Sequence, residues 1–248
     1  MASPENTWNT STSIDGVISG PKLIIQIPCL NEEASLPFCL ADLPLNIPGV
    51  QQIEILIIDD GSTDNTAEVA LAHKVDHLIR FKQHKGLARA FDTGLRHALD
   101  LGADIIVNTD ADNQYAARCI PDLIRPILEG RADLVIGTRP IETIPDFSWM
   151  KKKLQTTGSW MVRQISGTRV LDAASGFRAF NRRAASCMRI ASDYTYTIES
   201  ILLASRHGLQ IAQVPIEVNP PLRESRLSKG TLDYLMRTSG SLLRTFLS

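Results

Sequence analysis

Residues 53–64 read Ile53-Glu54-Ile55-Leu56-Ile57-Ile58-Asp59-Asp60-Gly61-Ser62-Thr63-Asp64. An apolar run rich in β-branched side chains stops at two carboxylates and a glycine, and a helical pattern from Asp64 to Ala72 begins at once. β-branched residues favour the pleated strand, Asp and Gly favour a turn, and Ser62 or Thr63 offers an N-cap to the helix that follows. The stretch therefore predicts strand, polar loop and helix in immediate succession. Little polar alternation interrupts the apolar run, so both of its faces should be covered, as in a parallel sheet flanked by helices.

The same unit recurs on either side. Leu23 to Ile27, Asp104 to Val107 and Leu134 to Ile136 read as strands, and Val75 to Phe81 supplies another, while Glu33 to Leu43, Leu87 to Leu101 and Ile120 to Leu128 read as helices. Such alternation is the signature of an α/β fold. Beyond Arg139 the pattern changes to a Lys-rich helix at Lys151 to Ile165, a Ser175-Gly176-Phe177 segment, a helix at Ile198 to Ser205 and a strand at Leu209 to Val218. A charged stretch with prolines, Asn219 to Lys229, leads to a final amphipathic helix. The expected division is an N-terminal extension over residues 1–20, one α/β domain over 21–228 and the amphipathic helix over 229–248.

Composition limits the partners. The chain has 248 residues, 44% of them hydrophobic, which suffices for one sizeable core. A formal net charge of -1 provides no bulk field for nucleic acid, so any anion must be gripped locally. Cys29, Cys39, Cys119 and Cys187 lie far apart without metal-ligand spacing, which fits a reducing, cytoplasmic setting. The extension is rich in Ser, Thr and Asn and lacks an apolar leader, so it reads as disordered, with Asn9-Thr10-Ser11 a chance sequon. No stretch reaches the roughly 18 apolar residues a spanning helix needs.

In open α/β sheets ligands bind beyond the carboxyl ends of the strands. Polar residues sit at that point repeatedly: Pro28-Cys29-Leu30-Asn31-Glu32, Asp59-Asp60-Gly61-Ser62, Asp110-Ala111-Asp112-Asn113-Gln114 and Gly137-Thr138-Arg139. Asp110 and Asp112, one residue apart, project to the same side of an extended segment and offer hard oxygens to Mg²⁺ or Mn²⁺. A diphosphate can complete the coordination. Isolated, the same tripeptide would equally serve as turn former or helix cap.

In this order and company, the motifs resemble family 2 glycosyltransferases of the GT-A fold, particularly dolichol- and polyprenyl-phosphate sugar synthases. The resemblance spans about Leu23 to Lys229 and also includes His84-Lys85-Gly86-Leu87-Ala88-Arg89-Ala90 and Asp172-Ala173-Ala174-Ser175-Gly176-Phe177-Arg178. It implies a mostly parallel central sheet, a divalent cation, a nucleotide diphosphate sugar donor and inversion at the anomeric carbon. Pro28, Leu30, Glu32 and Asp59 match positions that hold base and ribose. Asp110, Asp112 and Gln114 match the metal and diphosphate positions, with Ala111 counted in the donor site. Lys85, at a helix start, could approach an anion with help from the helix N-terminus. Arg139, Arg178, Arg223 and Lys229 match basic positions around phosphates and acceptor, where the guanidinium fork can grip phosphate. Arg226 stands where the family has glycine, a departure on the acceptor side.

Asp60 and Asp64 read as caps of the following helix rather than donor contacts, and the histidines are unassigned, His84 being of interest only as the neighbour of Lys85. Asp172 would be the base if the acceptor were a sugar hydroxyl, and Asp112, Asp172 and Arg178 form the catalytic set. A lipid phosphate is already anionic and needs no strong base. Related synthases point to such an acceptor at the cytoplasmic membrane face, with peripheral membrane contact. Leu232, Leu235, Met236, Leu242, Leu243, Phe246 and Leu247 fall mostly at helical spacing beside Lys229, Arg237 and Arg244, the pattern of an interfacial helix, and Trp149-Met150-Lys151-Lys152-Lys153 adds a second aromatic and cationic cluster. The alternatives are transfer to a saccharide hydroxyl in surface polysaccharide synthesis, a nucleotidyltransferase, or an inactive nucleotide-sugar binding module. No Walker A, G-x-S-x-G or G-x-G-x-x-G sequence is present.

Overall fold

The computed structural model describes residues 20–141, 149–191 and 196–220. The predicted extension, the sequon, Arg223, Arg226, Lys229 and the C-terminal helix lie outside them. The described strands form a seven-stranded sheet. They are β1 (Lys22–Cys29), β2 (Gln52–Asp59), β3 (His77–Arg80), β4 (Ile105–Asn108), β5 (Leu134–Thr138), β6 (Arg178–Asn181) and β7 (Ile211–Pro215). The helices are α1 (Leu36–Asp42), α2 (Thr66–Ala72), α3 (Leu87–Asp100), α4 (Ile120–Leu128), α5 (Trp149–Ser166), α6 (Arg182–Cys187) and α7 (Tyr196–Arg206).

Across the sheet the order is β3-β2-β1-β4-β6-β5-β7. All pairings are parallel except those of β6, which runs antiparallel to both β4 and β5. This is the mostly parallel α/β sheet expected. The quoted run 53–64 does pass from β2 through a loop towards α2, but the cap differs. Asn65 occupies the N-cap position without a side-chain bond, and the Asp64 carboxylate takes the Thr66 N–H instead. Ser62 is diverted to the Asn31 N–H of the neighbouring loop.

Alternate residues of each central strand serve two cores. Leu23, Ile25, Ile27 and Cys29 of β1 face a layer with α1 and α4, whereas Ile24 joins Phe91, Leu95 and Ile201 from α3 and α7. Covering both faces excludes water from every central strand and explains the lack of polar alternation. Two elements escaped prediction. β6 has four residues, and Asn181 directly starts α6 by accepting from the Ala184 N–H, so neither is long enough to show a period.

Chain order reverses at β1, which pairs with β2 on one side and β4 on the other. A crevice opens at such a switch point, beyond the carboxyl ends of the two strands. Both strands end there in polar loops.

Candidate active site

The loops at the carboxyl edge are stitched together by their own backbones. Asn31, at φ 54°, donates its N–H to Ser62 Oγ at 2.9 Å, and its side-chain oxygen accepts the Thr63 N–H at 2.8 Å. Glu32 N–H reaches Thr66 Oγ1 at 2.8 Å. Gly61 has φ 74°, and a Cβ there would lie 2.6 Å from the Gln83 backbone, so only glycine lets the third loop approach. Asp60 completes that join, accepting from the Lys85 and Gly86 N–H groups at 2.7 and 2.9 Å and lying 2.8 Å from His84 Nδ1. Asp60 therefore caps, but the loop it holds precedes α3 and not the next helix. Asp64 acts as expected, accepting from Glu33 and Thr66. Burial alone would raise its pKa, but these bonds hold it below the ordinary carboxylate value.

Loop 110–116 is pinned from three sides. Cys39 Sγ donates to the Asp110 carbonyl at 3.5 Å, and burial, reinforced by Asp112 and Asp110, pushes that thiol up to about 12, so it remains a donor at neutral pH. Asn113, at φ 56°, donates to Asp42. Asn219 donates its N–H to the Gln114 carbonyl and its amide to the Asn113 carbonyl. Asp112 Oδ1 accepts the Gln114 N–H at 3.1 Å. Asp110, Asp112 and Gln114 are partly exposed, and Ala111 between the carboxylates is buried in the core.

Opposite this loop lies residues 172–177. Gly176 donates its N–H to Tyr115 Oη at 2.9 Å, and Tyr115 stacks on Phe177 with ring centroids 5.2 Å apart. Asn108, the last residue of β4, donates to the Gly176 carbonyl at 2.9 Å and to Tyr196 Oη at 3.0 Å, and takes a bond from Gln26. A Cβ on Gly176 would come within 2.7 Å of Tyr196 Oη and 3.3 Å of an Asp110 carboxylate oxygen. The Asp110 carboxylate and the 172–177 loop are thus in van der Waals range.

Asp172 is wholly buried, and its two oxygens accept from Arg139 Nη2 and Nε at 2.9 and 2.8 Å, with the Arg139 backbone N–H at 3.3 Å. Burial opposes the Arg139 charge, but Tyr115, Asp172 and Asp110 raise its pKa above that of ordinary arginine. Arg178 is wholly buried too. Its guanidinium donates to the carbonyls of Ser175, Ala173 and Thr197, bracing the loop on α7. That geometry makes it a support of the loop.

Pro28 and Cys29 end β1, and Glu32, nearly buried, accepts from Ser35 Oγ at 2.5 Å. Leu30 follows β1 at partial exposure. Asp59 is wholly buried at the end of β2. One oxygen accepts the Ser62 N–H, and the other lies 3.2 Å from Arg80 Nε without an aligned hydrogen bond. Lys85 is exposed, its Nζ 4.5 Å from the Phe81 ring centroid.

Buried polar atoms are nearly always satisfied, so exceptions ask for a partner. Among the described residues six buried side-chain atoms lack a hydrogen bond; Asp59 Oδ2 has its ion pair with Arg80, and three of the other five, Asn113 Oδ1, Thr138 Oγ1 and Ser175 Oγ, lie at or beyond the carboxyl ends of the strands. A polar ligand in the crevice would answer that pattern. The acid pair fits a hard cation, whose coordination Gln114 and a bound anion or water could complete; among the described residues there is no cluster of three or more acidic, His or Cys ligands.

The family model for glycosyl transferase family 2 matches residues 24–189. The chain belongs to that family. A relative from Methanococcus voltae, a UDP-N-acetylglucosamine–dolichyl-phosphate N-acetylglucosaminyltransferase, is 32% identical over 216 residues, covering 77% of this chain and 83% of its own. An undecaprenyl-phosphate mannosyltransferase from Micrococcus luteus is 30% identical over 220 residues, covering 84% and 88%. Glucosyl-3-phosphoglycerate synthase from Mycobacterium tuberculosis, crystallised with Mn²⁺ and UDP-glucose, superposes with TM-score 0.68 at 25% identity, over 92% of this chain and 78% of that one. As a family 2 glycosyltransferase, the chain carries its acid pair where β4 enters the crevice. Sequence reasoning quoted Asn31 within its loop without giving it a role and missed Asn108, Tyr115, Tyr196 and Asn219; all five support the loops. Only the position of Tyr115 immediately after Gln114 was a signal, and it named no partner.

Proposed function

We propose that the chain transfers one sugar from a nucleotide diphosphate sugar to a lipid-linked phosphate at a membrane surface. The observation that carries the reading is the Asp110/Asp112 pair, held just past β4 at the β1/β4 switch point, with the unbonded Asn113 Oδ1 and Ser175 Oγ in the loops beside it. A bound Mg²⁺ or Mn²⁺ would supply Lewis-acid stabilisation of the departing diphosphate. Asp110 and Asp112, with Gln114, would hold that cation. Pro28, Leu30, Glu32 and Asp59 line the end of β1 and β2, where a carboxylate can accept from base N–H or ribose hydroxyls. Lys85 supplies positive charge at one side of the crevice, while Arg139 on the other is neutralised by its pairing with Asp172.

The acceptor side follows from Asp172. Both of its oxygens accept from Arg139 and the side chain is wholly buried, so neither oxygen is placed to meet a sugar hydroxyl. A phosphate nucleophile needs no proton removed. This supports the lipid phosphate named in both relatives over a saccharide hydroxyl. Arg139, anchored by Asp172, is then a fixed hydrogen-bond donor on the acceptor side. Peripheral membrane contact follows from such a substrate, and among the described residues no helix is long and apolar enough to cross a membrane.

The test is product formation with UDP, GDP, dTDP and CDP sugars, with Mn²⁺ or Mg²⁺, against polyprenyl phosphate and soluble saccharides. Transfer to polyprenyl phosphate that stops with chelator is expected. Faster transfer to a saccharide, or full activity in chelator, would overturn the reading.

A further inference from the structure

We propose that the outward face of α5, with the segment that follows it, is a docking surface for an anionic lipid bilayer. The inference rests on the lipid-acceptor reading for its purpose but on separate observations for its evidence. Trp160, Met161 and Ile165 of α5 are 52%, 41% and 37% exposed, and Leu171 is 57% exposed. Large apolar side chains this exposed on one element mark a surface that meets something other than water. Met161 and Ile165, four residues apart, are neighbours on the helix, and Trp160 lies on the same broad side, the three spanning about 140°. Val162, Ser159 and Ser166 fill the opposite, buried stripe.

The Ala173 N–H donates to Ser159 Oγ, so the chain after Gly167 turns back along α5. Gln213 of β7 holds that return, accepting the Leu171 N–H and donating to the Arg169 carbonyl. One residue further stands Asp172, whose partner Arg139 lies in the crevice. The surface is therefore continuous in the chain with the acceptor side of the site.

Charge selects the occupant. Residues 149–171 contain Lys151, Lys152, Lys153, Arg163 and Arg169 and no acidic residue. A second copy seated on this face by two-fold symmetry would set these cations against themselves. Residues 221–248 are no better matched, since Arg223, Arg226, Lys229, Arg237 and Arg244 outnumber Glu224 and Asp233. Both would meet like charge. An anionic headgroup layer complements the cations, while Trp160 suits the boundary of headgroup and acyl chain. Long cationic side chains can reach phosphate while their stems lie along the apolar stripe.

The experiment uses the full chain and vesicles of phosphatidylcholine with phosphatidylglycerol, free of polyprenyl phosphate. Wild type should float with the vesicles at low salt and be released by salt. In a variant with Trp8 and Trp149 replaced by Phe, Trp160 emission should shift to the blue on vesicle addition and be quenched by brominated lipid. Trp160→Ser with Ile165→Ser, and separately Lys153→Glu with Arg169→Glu, should each weaken partitioning about tenfold or more. Circular dichroism and melting temperature should be unchanged in both, which shows that they fold. Equal flotation of wild type and variants, or Trp160 emission unmoved by vesicles, would overturn the proposal. So would a dimer in light scattering that the Ser variant abolishes. Acceptor preference is read separately: a wild type that docks through α5 yet glycosylates only soluble saccharides sinks the lipid-acceptor reading and leaves the surface standing.

Discussion

Gly176→Ala probes the joint between loop 110–116, proposed to hold the metal, and residues 172–177 with a single methyl group. The new Cβ would stand 2.7 Å from Tyr196 Oη, closer than such atoms approach, and 3.3 and 3.4 Å from the two Asp110 oxygens. Tyr196 cannot swing away, because its ring is buried and stacked on Phe91 at 3.9 Å. Relief must come from moving the 172–177 loop, at the expense of the bonds from Gly176 to Tyr115 and from Asn108 to Gly176. Overpacking costs about 1–3 kcal/mol and each weakened buried hydrogen bond about 1 kcal/mol, so a loss of roughly 2–4 kcal/mol is expected. At about 2–4 °C per kcal/mol for a chain of this size, the melting temperature should fall by roughly 5–15 °C. Asp110 shares the crowded space, so Mn²⁺ affinity, read by electron paramagnetic resonance in the presence of UDP, should fall about tenfold or more even at temperatures where the variant is folded. Unchanged stability together with unchanged Mn²⁺ affinity would refute the claim that this glycine is required by the contact.

Other perturbations separate roles. Asp112→Ala should abolish turnover while leaving circular dichroism and melting nearly unchanged; loss of folding would instead make the acid pair a structural turn. Glu32→Ala should raise the donor KM more than it lowers kcat, because it removes a group remote from the reacting bond, and unchanged donor affinity by calorimetry would rule that placement out. Arg139→Met strands the buried Asp172 carboxylate and should cost about 3–5 kcal/mol in urea unfolding, whereas Arg139→Met with Asp172→Leu should recover much of that loss. Glu54 supplies a pH test. Burial raises its pKa, but hydrogen bonds with Lys22 and His77 outweigh this and hold it below the ordinary 4.5. Its contribution should be complete above pH 4.5 and vanish as pH falls through the lowered folded value. Glu54→Gln should therefore lose stability at neutral pH, with a gap from wild type that closes in acid; a gap independent of pH would contradict the linkage.

The sequence by itself determined the α/β class, five of the seven strands as separate apolar runs before Arg139, the later run that contains β7, and the polar loops that end them. These follow from local chemistry: β-branched runs, turn residues and helical periods act over a few neighbours. Asp64 as a cap was legible for the same reason. Tertiary structure decided the rest. β6 is too short to carry a period, and its place between β4 and β5 comes from pairing with residues 70 or more and 42 or more positions away. Asp60 looks like a local cap, yet its oxygens find N–H groups 25 and 26 residues on. Arg178 and Arg139 are both arginines beside a glycine-containing loop, but only folding buries the first among carbonyls and sets the second against Asp172. No periodicity encodes such partners, because they are chosen by which loops the sheet order brings to one edge.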